Sequence, residues 1–250
     1  MILCDWDELP ERMQTEEVKP YYDFLKRKSF SLFIKRLSDI VLSFLLLVIL
    51  SPVYLILAIV IKCDSKGPVF YRQVRITQYG REFRIHKFRS MVVGADRGTL
   101  VTVGEDARIT RVGQFIRKCR LDEIAQLLDV ITGKMTFVGV RPEVPRYVEH
   151  YTPEMMATLL LPAGITNLTS IYYSGESDLL DRSENPEKTY VEEVLPGKMK
   201  WNLEGIEKFS LCGDVIIMFQ TVYAVIKTLF SKRISSADTF SYDGMSQKKR

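Results

Sequence analysis

Histidine is nearly missing from this chain: His86 and His150 are the two that occur in 250 residues. An imidazole-rich zinc centre is thereby excluded, and a divalent ion would have to rely on oxygen ligands. Cysteine is also sparse. Cys4, Cys63, Cys119 and Cys212 stand too far apart for a metal-binding knuckle or a compact disulfide framework, so reduced thiols are the simpler reading. A secretory leader is not expected, because the apolar run begins far from Met1 and no small-residue cleavage pattern follows it. Internal repeats, zinc fingers and RNA-binding motifs are missing too, which argues against nucleic acid as the partner of a net charge of +4.

What the chain does have is an uneven distribution of apolar residues. Ile40 to Ile61 gives 22 positions without a charge, interrupted by Ser43, Ser51 and Pro52. As a straight helix it would cover about 33 Å, enough to cross a bilayer. Charge opposes a simple crossing. Lys26, Arg27, Lys28, Lys35 and Arg36 precede the run, and Lys62, Lys66, Arg72, Arg75, Arg81, Arg84, Lys87 and Arg89 follow it. Both flanks therefore favour the cytoplasmic side. Proline at position 52 removes a backbone donor and disfavours helix at Ser51, so a helix that enters one leaflet, breaks at Ser51-Pro52 and returns satisfies both flanks. A proline-kinked span and a buried core helix are the alternatives.

Beyond Cys63 the pattern changes. "GPVFYRQVRI" and "REFRIHKF", separated by "TQYG", predict a β-hairpin at the membrane surface. "GTLVTVGEDARITRVG" is turn-rich. Arg111 to Lys118 and Leu121 to Ile131 have helical spacing, with Gly133 as a stop. "KMTFVGVRPEVP" predicts a short strand running into a proline-bounded loop. Helical spacing recurs over Tyr147 to Leu160 and Asn185 to Leu195. Asp214 to Phe230 is apolar over most of its surface but short for a second span, and suits either the membrane interface or the core. Four regions follow: an acidic segment without an assigned role (1–30), a membrane helix (31–63), a cytosolic catalytic domain (64–230) and a polar tail (231–250).

The chemical interest centres on "RKCRLDEIAQLLDVITG", where Asp122 and Glu123 are adjacent. Neighbours on a helix point about 100° apart, so the two carboxylates can divide labour, one toward a substrate and one toward a metal. An ionised aspartate can attack phosphorus and form an acyl-phosphate. Acidic residues that merely open a helix are the plain alternative. Basic residues suited to a diphosphate lie nearby in sequence. Lys87 and Arg89 alternate onto one side of an extended segment, Arg108 and Arg111 flank "IT", and Arg141 sits in a Gly- and Pro-bounded loop that suits bidentate phosphate contact. Arg72, Arg75, Arg81 and Arg84 read as surface or solvated charges. With so few histidines, Mg2+ held by Glu123 and substrate phosphates fits the inventory.

In order along the chain, the apolar run broken by "SP", "GPVFYRQVRI", "FRIHKFRSM", "DARITRVGQFIRK", "RLDEIAQLLDVITGKMTFVGVRPE", "PAGIT" and "NPEKTYVEEVLPGKMKWNLE" resemble the bacterial sugar transferases. These are monotopic polyprenyl-phosphate phosphoglycosyl transferases, and the matching elements cover roughly residues 31 to 230. The resemblance implies an α/β, mostly helical fold of the small form: a re-entrant helix-break-helix hairpin, a small cytosolic domain with a short β-hairpin, and amphipathic surface helices. It implies transfer of a sugar-1-phosphate from a UDP-sugar donor to undecaprenyl phosphate at the cytoplasmic face of the inner membrane, with UMP released and glycan assembly begun. By that resemblance Asp122 is the nucleophile, Glu123 the Mg2+ ligand, Ser51-Pro52 the helix break, and Arg141 a phosphate contact. Lys87 and Arg89 match the basic pair, and Arg108 and Arg111 the "RITR" segment. A non-catalytic nucleotide-binding scaffold and a magnesium-dependent phosphatase are the rival functions. A homodimer is compatible with surface helices carrying apolar area. Two departures stand out. Val140 replaces the first proline of the family's usual "GPRP", and "PAGITN" carries Ala163 and Asn167 where "PGITG" is usual, a place expected to touch donor selectivity.

Overall fold

Helix α1, Lys19–Arg27, leads through Lys28 into α2, Ser29–Asp64, a helix of 36 residues. The computed structural model describes residues 3–95, 106–169, 180, 183 and 185–230. The expected tail at 231–250 and part of the turn-rich segment lie outside those residues.

Helix α2 reverses the polarity of a soluble helix. Lys35, Asp39 and Ser43, spaced by four residues, are buried, whereas Phe44 and Ile49 are 61% and 68% exposed. Lys35 Nζ donates to Asp214 Oδ2 at 2.6 Å and to the Val138 carbonyl at 2.9 Å. The Asp39 carboxylate accepts from Thr136 Oγ1 at 2.6 Å. A polar stripe thus seats the helix on the domain, and its apolar face is left for a non-aqueous surround. The helix is long and apolar enough to cross a membrane by length and composition, which fits membrane association. The expected break is corrected in one respect: backbone helix continues through Pro52, and Ser51 Oγ donates to the Val48 carbonyl at 2.8 Å. Proline deletes one rung there without unwinding a turn.

After α2 comes the expected hairpin: β1, Phe70–Ile76, antiparallel to β2, Glu82–Phe88, with Phe70 opposite Phe88. Its turn places Tyr79 and Gly80 at φ 59° and 72°, a pair of left-handed residues that matches the twist of the strands. Helix α3, Arg111–Lys118, is capped by Thr110, whose Oγ1 accepts from the Gly113 N–H at 3.0 Å. The expected helix from Leu121 to Ile131 begins instead as a 3-10 turn, Glu123–Gln126, which runs into α4, Leu127–Ile131.

Strand β3, Met135–Val138, pairs in parallel with β4, Ala163–Thr166, a strand the local pattern does not announce. At the end of that pair two backbones cross through glycine. A Cβ on Gly164 would lie 2.2 Å from the Gly139 nitrogen. Gly164→Ala is therefore expected to cost about 1–3 kcal/mol or more through overpacking. Gly205→Ala meets open space within a helix and is expected to stabilise by about 0.5–1 kcal/mol. Thermal melts of both variants in detergent check the contrast.

Between β3 and β4 the expected helix from Tyr147 to Leu160 is split into α5, Pro145–Val148, and a 3-10 stretch, Glu154–Leu159. Pro153 separates them, because its ring disfavours helix in the preceding residue. Helix α6, Pro186–Thr189, passes through a π turn, Tyr190–Val194, into α7, Leu195–Glu207. Pro196 lacks the N–H that a regular rung would need, and the widened turn occurs just before it. The last helix, α8, Leu211–Phe230, leaves Phe219 and Tyr223 exposed at 72% and 68%.

The acidic first segment packs onto the domain. Leu3, Leu9, Met13 and Val18 are buried in one cluster with Met156, Leu160 and Met199, while Asp5, Glu8 and Glu11 face outward.

Candidate active site

The nucleophile candidate follows a tightly specified helix end. Arg120 takes φ 55°, a left-handed conformation that glycine usually fills. The Leu121 N–H bonds to the Ile116 carbonyl at 2.9 Å and the Arg120 N–H to the Arg117 carbonyl at 3.1 Å, the paired bonds of a Schellman ending. Leu121 and Ile116 share an apolar cluster beneath it. Asp122 is the next residue. Its carbonyl accepts from the Phe88 N–H of β2 at 3.0 Å. The Tyr54 hydroxyl of α2 donates to the Ile124 carbonyl at 2.5 Å. Hairpin and membrane helix thus both hold the backbone that carries Asp122 and Glu123.

Asp122 borders a cavity of about 710 Å³ that is also lined by Lys87, Arg117, Arg141 and Arg75. Burial, reinforced by the Glu123 charge, pushes the Asp122 carboxyl above its ordinary range, while Lys87 and Arg117 pull it back. Glu123 lies behind it and is 9% exposed. Arg141 Nη2 donates to Glu123 Oε1 at 2.6 Å; Lys87 and Arg120 stand 3.6 and 3.7 Å from the same carboxylate. Burial alone would raise the Glu123 pKa, but Arg141 and Lys87 outweigh it and hold it at about 2. The Lys87 ammonium is lowered to about 8 by burial, against the pull of Glu123. These two adjacent carboxylates therefore differ: Glu123 is a fixed anion buried among cations, and Asp122 is a less buried, more basic carboxylate facing the cavity.

As the expected nucleophile, Asp122 would act in its ionised form, so kcat/KM is expected to fall as pH drops through its raised pKa. Lys87 must be charged to receive an anion, so activity is expected to fall again above about pH 8. A bell-shaped profile for the free enzyme checks both limbs, and Lys87→Arg should move the alkaline limb upward.

The other expected basic residues separate. Arg89 borders the cavity, but its guanidinium is turned to the end of α2: Nη1 donates to the Lys66 carbonyl at 2.8 Å, and Nη2 to the Ser65 carbonyl at 2.6 Å and Ser65 Oγ at 3.0 Å. Its guanidinium, expected to meet phosphate, thus satisfies carbonyls just past the C-terminal end of α2. Gly67 is needed there, since a Cβ would come within 1.9 Å of Arg89 Nη1. Arg108 lines the cavity while bound to Asp106 through Nε at 2.8 Å and Nη2 at 2.6 Å. Arg111 is exposed at the start of α3 and is not among the cavity's lining residues. Asn167 is buried and donates to Asn202 Oδ1 at 3.0 Å. Neither it nor Ala163 is among the residues lining this cavity.

Arg75 and Arg117 take up positions that local spacing did not single out. Arg75 donates to the Pro142 carbonyl at 3.1 Å, and the Ile76 N–H bonds to the Glu143 carbonyl at 2.9 Å. Together with the Gly164 N–H on the Val140 carbonyl at 2.8 Å, they fasten the loop bearing Arg141.

Among the described residues no group of three or more His, Cys, Asp or Glu side chains is placed to share a cation. Magnesium often takes one or two carboxylates and completes its shell with substrate phosphates and water. Glu123, the carboxylate expected to hold such an ion, is not among the cavity's lining residues, and its Oε1 accepts from Arg141 at 2.6 Å, so a cation there would exchange for that contact.

Comparison with known proteins gives a consistent picture. A family model described as bacterial sugar transferase matches residues 30–228. A UDP-glucose:undecaprenyl-phosphate glucose-1-phosphate transferase of Klebsiella pneumoniae is 36% identical over 194 residues, 76% of this chain and 39% of that protein. A UDP-N-acetylgalactosamine-undecaprenyl-phosphate N-acetylgalactosaminephosphotransferase of Aeromonas hydrophila is 33% identical over 198 residues, 78% of this chain and 44% of the other. The exopolysaccharide production protein ExoY of Sinorhizobium fredii is 31% identical over 207 residues, 76% of this chain and 84% of its own length. The chain thus spans less than half the length of the first two relatives.

Proposed function

The chain belongs to the bacterial sugar transferase family, and we propose that it moves a sugar-1-phosphate from a UDP-sugar to undecaprenyl phosphate at the cytoplasmic face of a bacterial inner membrane. The observation that carries this reading is Asp122 itself: a carboxylate of raised pKa bordering a cavity with Lys87, Arg117 and Arg141. The names of the relatives supply the donor and acceptor classes.

In the first step an Asp122 oxygen attacks the sugar-bearing phosphorus of the donor. A phosphorus–oxygen bond forms to the carboxylate, and the bond to UMP breaks, with the electron pair leaving on UMP. In the second, an oxygen of undecaprenyl phosphate attacks the same phosphorus. The acyl-phosphate bond breaks and Asp122 regains its charge. Lys87, Arg117 and Arg141 offset the repulsion between carboxylate and diphosphate. Glu123 would hold Mg2+ together with the donor's phosphates, and the ion would withdraw charge from the phosphoryl oxygens.

A re-entrant α2 suits this chemistry. Arg36 donates to the Val130 and Ile131 carbonyls at 2.6 and 2.8 Å, and Tyr54 to the Ile124 carbonyl at 2.5 Å. Both contacts dock α2 onto the Glu123–Ile131 segment that follows Asp122. A helix whose apolar middle dips into one leaflet, with both basic flanks on the cytoplasmic side, would keep the nucleophile at headgroup depth, where a lipid phosphate arrives.

The test is UMP release by enzyme in nanodiscs, using UDP-glucose, UDP-galactose and UDP-N-acetylgalactosamine, with and without undecaprenyl phosphate. Lipid-linked sugar together with UMP is the expected result. Inorganic phosphate in place of lipid product would indicate a phosphatase; nucleotide binding with no turnover would indicate a scaffold.

A further inference from the structure

Two residues after Arg141, the same loop carries Glu143, a carboxylate that is 6% exposed and also lines the cavity. Tyr190, on the π turn, donates its hydroxyl to Glu143 Oε1 at 2.6 Å. Lys198 Nζ, on α7, donates to that hydroxyl at 3.1 Å and stands 3.6 Å from Glu143 Oε1. The ring of Tyr147 packs on that of Tyr190, with centroids 4.5 Å apart, and all four residues border the same space as Asp122.

This arrangement is a poor place for phosphate. An ionised phosphate only accepts hydrogen bonds, and so does a carboxylate. A buried glutamate in a cavity otherwise rich in arginine and lysine repels a diphosphate and favours a neutral group with hydrogen to donate. Tyr147 and Tyr190 add apolar ring surface, which suits the face of a sugar or a nucleoside. The Lys198–Tyr190–Glu143 chain fixes the carboxylate in place.

We propose that Glu143, held by Tyr190 and Lys198 and flanked by Tyr147, binds the hydrogen-bond-donating ring of the donor, the pyranose or the nucleoside, and thereby contributes to donor selection. The proposal rests on the transferase reading. One loop then carries both halves of donor recognition: Arg141 for the diphosphate and Glu143 for a ring beside it. The π turn has a purpose in this account, since it widens the helix where Tyr190 meets Glu143.

The experiment compares wild type with Glu143→Gln and Tyr190→Phe, using whichever of UDP-glucose, UDP-galactose and UDP-N-acetylgalactosamine wild type turns over fastest. Each variant is expected to lose about 10- to 100-fold in kcat/KM, mainly through KM, because a hydrogen bond to a charged group is weakened or misplaced. Inhibition by UDP, which lacks the sugar, locates the ring. An unchanged inhibition constant assigns Glu143 to the pyranose; a rise matching that of KM assigns it to the nucleoside. Tyr190→Phe keeps the ring and guards against misfolding, which thermal melts also monitor. Folded variants with kcat/KM within twofold of wild type on all three donors would overturn the proposal, as would a loss confined to kcat. If wild type itself releases no UMP from any donor, the transferase reading fails instead, and the two failures are distinct.

Discussion

Asp122→Asn is expected to reduce UMP release and lipid-linked sugar together by about three orders of magnitude or more, the scale seen when a covalent nucleophile is removed. The amide carries no negative charge, and its oxygen is a far weaker nucleophile toward phosphorus than a carboxylate. Its effect on donor binding should run the other way. Asp122 places a negative charge where a diphosphate must approach, and burial together with Glu123 already disfavours that charge. Removing it should leave donor affinity unchanged or tighter. A variant that binds the UDP-sugar at least as well as wild type yet turns nothing over separates loss of chemistry from loss of the site. Isothermal titration beside a turnover assay reads both quantities.

The second large effect is expected at Arg141, whose guanidinium is pushed above its ordinary range chiefly by the charge of Glu123. Arg141→Ala should lower kcat/KM by about 100-fold or more, since a cation aimed at developing phosphoryl charge is lost. Arg141→Lys keeps a charge but not the planar fork that spans two oxygens, so about a tenfold loss should remain. Because Arg141 and Glu123 share a 2.6 Å contact, Glu123→Gln combined with Arg141→Ala should fall short of the product of the single effects. Purely additive losses would mean that the pair does not act as a unit. Steady-state kinetics on the four proteins measures this coupling.

How far these groups could be read from sequence depended on how local each signal was. Helix α3 was legible over Arg111–Lys118, because a threonine cap precedes it and its apolar positions repeat at helical spacing. The hairpin was legible from two β-rich runs around "TQYG". Strand β4 was not, since a four-residue strand paired in parallel with a distant one has no periodicity of its own. Asp122, Glu123, Lys87 and Arg141 converge as their motifs imply. Arg89 reaches the cavity too, but its guanidinium turns toward the carbonyls just past the end of α2, a contact that follows from the tertiary fold. Glu143, Tyr190 and Lys198 meet only through tertiary folding. A glutamate after "RP" and a lysine on a distant helix have no local reason to be paired. The membrane helix shows both sides of the lesson. Its apolar run announced the element, while continuous helical backbone at Pro52 could not be anticipated from the residue type, since proline can break a helix or merely bend it.

The most direct measurement is the intact mass of the protein after incubation with Mg2+ and a UDP-sugar that supports turnover, in the absence of undecaprenyl phosphate. The account predicts that the mass rises by one sugar-phosphate, that fragmentation maps the addition to Asp122, and that undecaprenyl phosphate removes it with lipid-linked sugar as the product. Unmodified protein under conditions where full turnover occurs once acceptor is added, with kinetics requiring both substrates bound together, would contradict it.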